Sequence, residues 1–201
     1  GNIYAEVTSK HNNETYTREI NNGDGPSTIE DGFVNDGTLI VNDSTINGKN
    51  MTFKSAEASS IQNGSNITGD DITIDGGKLA FVVGESTIGS KNLNISVDNA
   101  SGDNLIWFDR ANLSATNKIT ATATNGNILS MDNTGNGAVS SFNAPEIEIN
   151  ADGDVLSSVT VNVNNGTAEY KGGYNFNNKK ATVNAGRDIN IKVTGVDNPS
   201  N

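Results

Sequence analysis

The chain has 201 residues, of which 33% are apolar and 5% aromatic, with a net charge of −11 and no cysteine. That balance excludes disulfides and thiolate chemistry, and it disfavours phosphate backbones and anionic lipid surfaces as partners. It also leaves little apolar material for an ordinary globular core, although low Pro content and an ordered Ile/Leu/Val register argue against disorder. No apolar run approaches membrane-spanning length, and the first residues lack a signal-peptide pattern, so a secreted protein would be represented here by a mature or excised piece.

Residues 1–36 do not join the repeat that dominates the chain. Ile3–Val7 and Tyr16–Ile20 alternate like strands on either side of the polar turn His11–Glu14, which predicts a hairpin lying beside or capping the repeats. Asn21–Pro26 reads as an irregular loop. From Gly37 the repeat begins. The segments Ser44–Phe53, Ser65–Ile74 and Ser86–Ile95 superimpose at a 21-residue spacing. Their apolar residues fall in register: Ile46, Met51, Phe53; then Ile67, Ile72, Ile74; then Ile88, Leu93, Ile95. The last two of each set are two residues apart, the strand period, so they share one face. A small residue (Gly48, Gly69, Ser90) stands two positions after the first of each set. Such a period signals a unit that buries its face only by stacking on its neighbours.

Further along, the register loosens. Leu113 is followed by Ile119 and Ala121 one residue late, and Val139 with Ile147 and Ile149 come later still. A second column runs through Leu79, Leu105, Leu129 and Leu156. These patterns predict rungs of about 21–28 residues, each with three short strands, stacked as a parallel β-helix over residues 37–195 with a tail at 196–201. Seven or eight rungs at about 4.8 Å would span roughly 35–40 Å. Asn47-Gly48, Asn63-Gly64, Asn125-Gly126, Asn136-Gly137 and Asn165-Gly166 supply turns. Read instead as tight hairpins, the same dipeptides would give an antiparallel sandwich or prism.

The stretch Ala185-Gly-Arg-Asp-Ile-Asn-Ile191 resembles the repeat consensus of filamentous-haemagglutinin-type exoproteins of Gram-negative bacteria. Ser65–Ile74 and Asn92–Ser96 are similar to repeats of the high-molecular-weight adhesins of that group. The resemblance implies an all-β, right-handed parallel β-helix from a large secreted surface adhesin, exported through a partner outer-membrane transporter. The Asn-Pro-Asn-Gly-type motifs of the family's secretion domain are missing, which points to an interior or distal piece. Classical autotransporter passengers share the texture.

Candidate sites are few. His11, the one histidine, sits in a polar turn with no nucleophile constellation around it. Parallel β-helices can host lyases and glycosidases that work through paired carboxylates. The acids that cluster here, Asp70/Asp71/Asp75 and Glu146/Glu148, read as turn residues and as an outward solvent-facing pair. With Asp152-Gly-Asp154, none has a calcium-loop spacing, and no metal or cofactor is expected. The aromatic segment Leu105-Ile-Trp107-Phe108 carries the only tryptophan. With the leucine column inward, Trp107 is core and Ile106 and Phe108 face out beside Asp109 and Arg110. These four residues are the candidate ligand-binding set; cover by a loop or by the N-terminal hairpin is the competing reading. Asn42, Asn50, Asn66, Asn94 and Asn112 lie in sequons that the related adhesins can glycosylate.

The expected function is a non-catalytic segment of a secreted, cell-surface adhesin. It would be monomeric and would present a surface, or the loops 98–103 and 133–137, to a host glycan or surface protein. A polysaccharide-acting β-helix and a passive spacer are the alternatives.

Overall fold

The structure, a computed structural model, describes residues 2–9, 14–21, 27–30, 38–55, 57–163 and 166–194. It is all-β, built mainly of parallel sheets, with no helix among the described residues. Strands β1 (Asn2–Ser9) and β2 (Glu14–Asn21) form an antiparallel hairpin with Ile3 opposite Ile20 and Val7 opposite Tyr16. The turn residues around His11, residues 22–26 of the expected loop Asn21–Pro26, residue 195 and the tail 196–201 lie outside the described residues.

The parallel stacking begins at β3 (Ser27–Glu30), earlier than the boundary expected at residue 37. Next in the chain are β4 (Thr38–Asn42), β5 (Thr45–Asn47), β6 (Asn50–Lys54), β7 (Ala58–Gln62), β8 (Asn66–Thr68), β9 (Asp71–Asp75) and β10 (Leu79–Val83). Two long strands, β11 (Thr87–Asp98) and β13 (Asn112–Thr124), flank β12 (Asn104–Asp109). The remainder is β14 (Gly126–Ser130), β15 (Ser140–Asn143), β16 (Glu146–Ala151), β17 (Val155–Leu156), β18 (Ser158–Val163), β19 (Gly166–Lys171), β20 (Tyr174–Asn177), β21 (Lys180–Ala185), β22 (Ile189–Asn190) and β23 (Val193–Thr194).

Strands one repeat apart pair in parallel. The smaller sheet runs β4-β7-β10-β12-β14-β17-β22, and the larger one includes β3, β6, β9, β11, β13, β16 and β21, with β5, β8, β15, β20 and β23 joined to it. The repeat read from the sequence is the pairing register: Ile46, Ile67 and Ile88 are successive partners, as are Met51, Ile72 and Leu93, and Phe53, Ile74 and Ile95. All nine are buried, and both sheets contribute to one apolar cluster. Strand alternation explains this, because every second side chain of each strand points into the shared interior.

Two features of the repeat have local causes. A Cβ on Gly69 would lie 2.8 Å from the Met51 side chain and 2.9 Å from the Gly48 carbonyl oxygen, so the small position marks a close approach between rungs. The leading serines face inward at a corner, where each hydroxyl donates to a nearby carbonyl: Ser44 to Asn42 (2.8 Å), Ser65 to Gln62 (2.7 Å), Ser86 to Val83 (2.8 Å). These bonds satisfy polar groups that burial would otherwise penalise.

The looser half departs from the sequence reading in three places. Phe142, not Val139, continues the Ile46 column after Leu113, and Val139 is only half-buried. The rung spacing exceeds the expected range, since Asn184 partners Asn150 at a separation of 34. The cause is an antiparallel hairpin, β18–β19, inserted between β17 and β20. Val163 pairs with Gly166 in this antiparallel hairpin, whereas Asn63-Gly64 joins β7 to β8, each of which pairs in parallel with strands one repeat away, with both residues at positive φ (54° and 73°).

Candidate functional site

The smaller sheet has an outward row that is not polar. Ile40, Ser60, Phe81, Trp107, Leu129 and Leu156 are successive register partners. The inward partners in the same strands are Ala80, Ile106, Ile128 and Val155, with Val82 and Phe108 beside them, all fully buried. The leucine column is thus outward and half-buried, and Leu105 is aligned with Asn127 rather than Leu129. The expected orientation is reversed. Ile106 and Phe108 are core residues at 0% exposure, and it is Trp107 that faces out. Phe108 is held there by an edge contact with Phe142, ring centroids 5.0 Å apart.

Asp109 and Arg110 do not form an outward rim either. The Asp109 side chain is fully buried, and Arg110 Nε donates to it at 3.0 Å. Arg110 also reaches Asp132, buried as well, at 3.6 Å and Glu85 at 3.3 Å. Its hydrogen bond to Asp109 is the main reason its guanidinium pKa is raised. Both Arg110 and Glu85 occupy left-handed backbone conformations (φ 53° and 65°), at a cost of about 1–2 kcal/mol each for a side chain with a Cβ. The ion pairs fix a corner that the backbone alone disfavours.

From this corner the 131–139 segment is organised. Asp132 accepts hydrogen bonds from the Thr134 amide (2.8 Å), the Thr134 hydroxyl (2.6 Å) and the Ala138 amide (3.0 Å). Burial is the largest single influence on its pKa and acts upward, but these bonds and the Arg110 charge together hold it below the ordinary value. The segment reaches the aromatic row, where the Trp107 indole N–H donates to the Met131 carbonyl at 3.1 Å. Phe81 meets Trp107 edge-on at 6.2 Å and 67°.

Together these elements enclose a groove of about 340 Å³. Ile40, Ala58, Phe81, Val83 and Trp107 form its apolar wall, and Ser60, Gln62 and Asn133 supply polar groups. Among the described residues no charged side chain lines it, in a chain carrying −11. Gln62 is already oriented, donating to Asn42 at 3.2 Å and accepting from Ser60 at 3.3 Å. The arrangement can stack an apolar surface against fixed rings while amides and a hydroxyl meet polar groups at its margin.

Of the two loops singled out in the sequence, only 133–137 adjoins this groove, through Asn133. The 98–103 loop closes on itself in a turn where Asn99 Oδ1 accepts from the Ser101 amide and hydroxyl at 2.9 and 2.7 Å. The clustered acids are each engaged. Asp70 pairs with Lys91 at 3.1 Å, Asp71 accepts from Asn92 at 2.6 Å, and Asp75 caps the Gly77 amide at 3.1 Å. Glu146 and Glu148 share Lys118 at 3.2 and 2.5 Å on the outward face, and the Lys118 hydrogen bond is the chief cause of the lowered Glu148 pKa. Among the described residues, no three His, Cys, Asp or Glu side chains are grouped so as to hold a metal ion. In the sequons, Asn66, Asn94 and Asn112 are exposed, whereas Asn42 and Asn50 are half-buried and the Asn42 side chain accepts from Gln62 and Asn63.

Phe81 and Trp107 as an outward pair, and Asp132 as the loop's anchor, were missed by sequence reasoning. Both faces of β10 and β12 are apolar, so alternation shows two columns without saying which is inside. Comparison with protein-family models, with curated proteins and with solved structures finds no match for the chain.

Proposed function

We propose that the chain is a segment of a right-handed parallel β-helix from a secreted bacterial surface adhesin, and that it binds a ligand without catalysis. The uncharged aromatic groove on the outer face of the smaller sheet is the observation that carries this reading. A groove of this kind suits a neutral glycan: a sugar's apolar face stacks on Trp107 and Phe81, and its hydroxyls meet Asn133, Ser60 and Gln62. The parallel pairing over successive rungs and the Ala185–Ile191 motif support the adhesin resemblance. Export through an outer-membrane transporter, display at the cell surface and glycosylation at the exposed Asn66, Asn94 and Asn112 belong to the same proposal. The engagement of each clustered acid with a partner favours binding over a polysaccharide-cleaving activity.

The test is a broad glycan array read alongside the emission of Trp107, the only tryptophan. A confined set of neutral glycans that bind, shift Trp107 emission, and lose affinity in Trp107→Ala and Phe81→Ala is expected. Binding unchanged in both variants would remove the groove from the function. No glycan bound, with adhesion to host cells retained, would redirect the proposal to a protein ligand.

A further inference from the structure

An Asn-Gly pair is the dipeptide most open to attack on itself, because glycine has no Cβ to shield its amide nitrogen from the preceding side chain. The structure treats the fully described pairs differently. The Gly48 amide donates to the Thr68 carbonyl at 3.0 Å, and the Gly64 amide to the Gly84 carbonyl at 2.8 Å. Gly126 is buried at the start of β14, where a Cβ would lie 2.2 Å from the Asn104 carbonyl oxygen. Gly137 is the exception. Among the described residues its amide has no hydrogen-bond partner, and the Asn136 side chain before it is exposed. A Cβ on Gly135, on the other side of Asn136, would meet nothing within 4 Å.

From this contrast we infer that Asn136 is a site of spontaneous deamidation in the folded chain. The Gly137 nitrogen, losing its proton, bonds to Asn136 Cγ; the Cγ–Nδ2 bond breaks, ammonia leaves and a cyclic imide closes. Water adds to either imide carbonyl and opens the ring, which leaves aspartate or isoaspartate at position 136. The loop permits the attack. Gly135 and Gly137 both have positive φ (78° and 74°), so no Cβ on either neighbour limits rotation about Asn136. Asp132 holds the Thr134 and Ala138 amides on either side of the tip, so the tip can rearrange while its ends stay fixed. The one side-chain contact to be given up is the exposed hydrogen bond from Asn136 Nδ2 to the Thr134 hydroxyl at 3.0 Å. The product adds a negative charge to the loop whose Asn133 lines the groove. That charge stands in a neighbouring pocket with Glu169, Lys171 and Lys192, and the strands of the stack are not altered.

Peptide mapping by mass spectrometry at mildly alkaline pH tests this, in the folded chain and in the same chain unfolded by urea. In the folded chain Asn136 is expected to deamidate on the order of tenfold or more faster than Asn47, Asn63 and Asn125. In urea, where each of these asparagines meets a glycine amide with no fold around it, the rates should converge. Aspartate and isoaspartate are both expected at position 136, in a charge-shifted form that anion exchange separates and whose thermal melting matches the parent. Asn136→Gln, whose longer side chain closes the ring far more slowly, should abolish that form. Equal rates at these sites in the folded chain, an undiminished preference for Asn136 in urea, or a charge-shifted form that persists in Asn136→Gln would overturn the inference.

Discussion

Residues 44–97 and residues 98–194 fill the same interior columns by different means. In the first region, partners such as Asp71 and Asn92 are 21 residues apart and the rungs carry almost nothing beyond strands and corners. In the second, separations reach 34, and the added residues form the 98–103 turn, the Asp132-centred loop and the β18–β19 hairpin. Insertions gather at corners for a physical reason. One residue added within a strand would turn every later side chain to the opposite face, whereas one added between strands leaves the inward set untouched. Where an extra residue does fall within a strand, between Ala115 and Lys118 of β13, an irregularity in the β11–β13 register absorbs it, and Ile119 still lies beside Leu93. The first region therefore supplies scaffold and most of the groove's wall, and the second adds Trp107 and the loop that completes the groove.

The comparison implies that the columns are equally indispensable in both regions. Phe53→Ala in the tight part and Phe142→Ala in the loose part are each expected to lower unfolding free energy by about 3–5 kcal/mol, measured by urea denaturation. Phe142 should fall at or above the upper end, because it touches Phe108, Tyr174 and Phe176, and each aromatic contact adds about 0.5–1.5 kcal/mol. A loss below about 1 kcal/mol at Phe142 would show that the second region is not held by its core.

A smaller effect is expected where the loop meets the scaffold. Asp132→Asn keeps the shape but removes the charge facing Arg110, and should cost about 1–3 kcal/mol with a red-shifted Trp107 emission. The same contact has a pH signature. Asp132 has a folded pKa below its ordinary value of 3.8, so its contribution is complete above that value and is lost as the pH falls through the lower folded one. Trp107 emission is then expected to hold steady from neutral pH to about pH 4 and to shift only in stronger acid, with the acid transition altered in Asp132→Asn. A transition near neutral pH would contradict this assignment.

The smallest effect is expected from excising the inserted hairpin. Ser157 accepts the Gly172 amide at 2.8 Å at its base, so the chain ends are already close. Replacing residues 159–170 with a two-residue turn should change stability by less than about 1 kcal/mol and leave the Trp107 spectrum intact. A large loss would mean that the hairpin supports the stack.

Much of the scaffold was legible because it is local and repeated. Ile46, Ile67 and Ile88 declare their common face through spacing alone, and the one-residue delay before Ile119 correctly marked a shifted register. The groove was far less legible. In β12 the residues Leu105, Ile106, Trp107 and Phe108 are apolar on both faces, so the period of two gave two answers with equal strength. Asp132 gave no signal either, because its partner Arg110 is remote in sequence and meets it only once the strands have folded together.

The sequence by itself determined the strand period and the repeat, and it favoured the parallel pairing of segments 21 residues apart over an antiparallel sandwich, since like segments one repeat apart bury their apolar residues by stacking on one another. Only the tertiary structure decided which face of β12 is core. The large ring of Phe108 finds Phe142 inside, while Trp107 finds a partner for its indole N–H only outside, at the Met131 carbonyl.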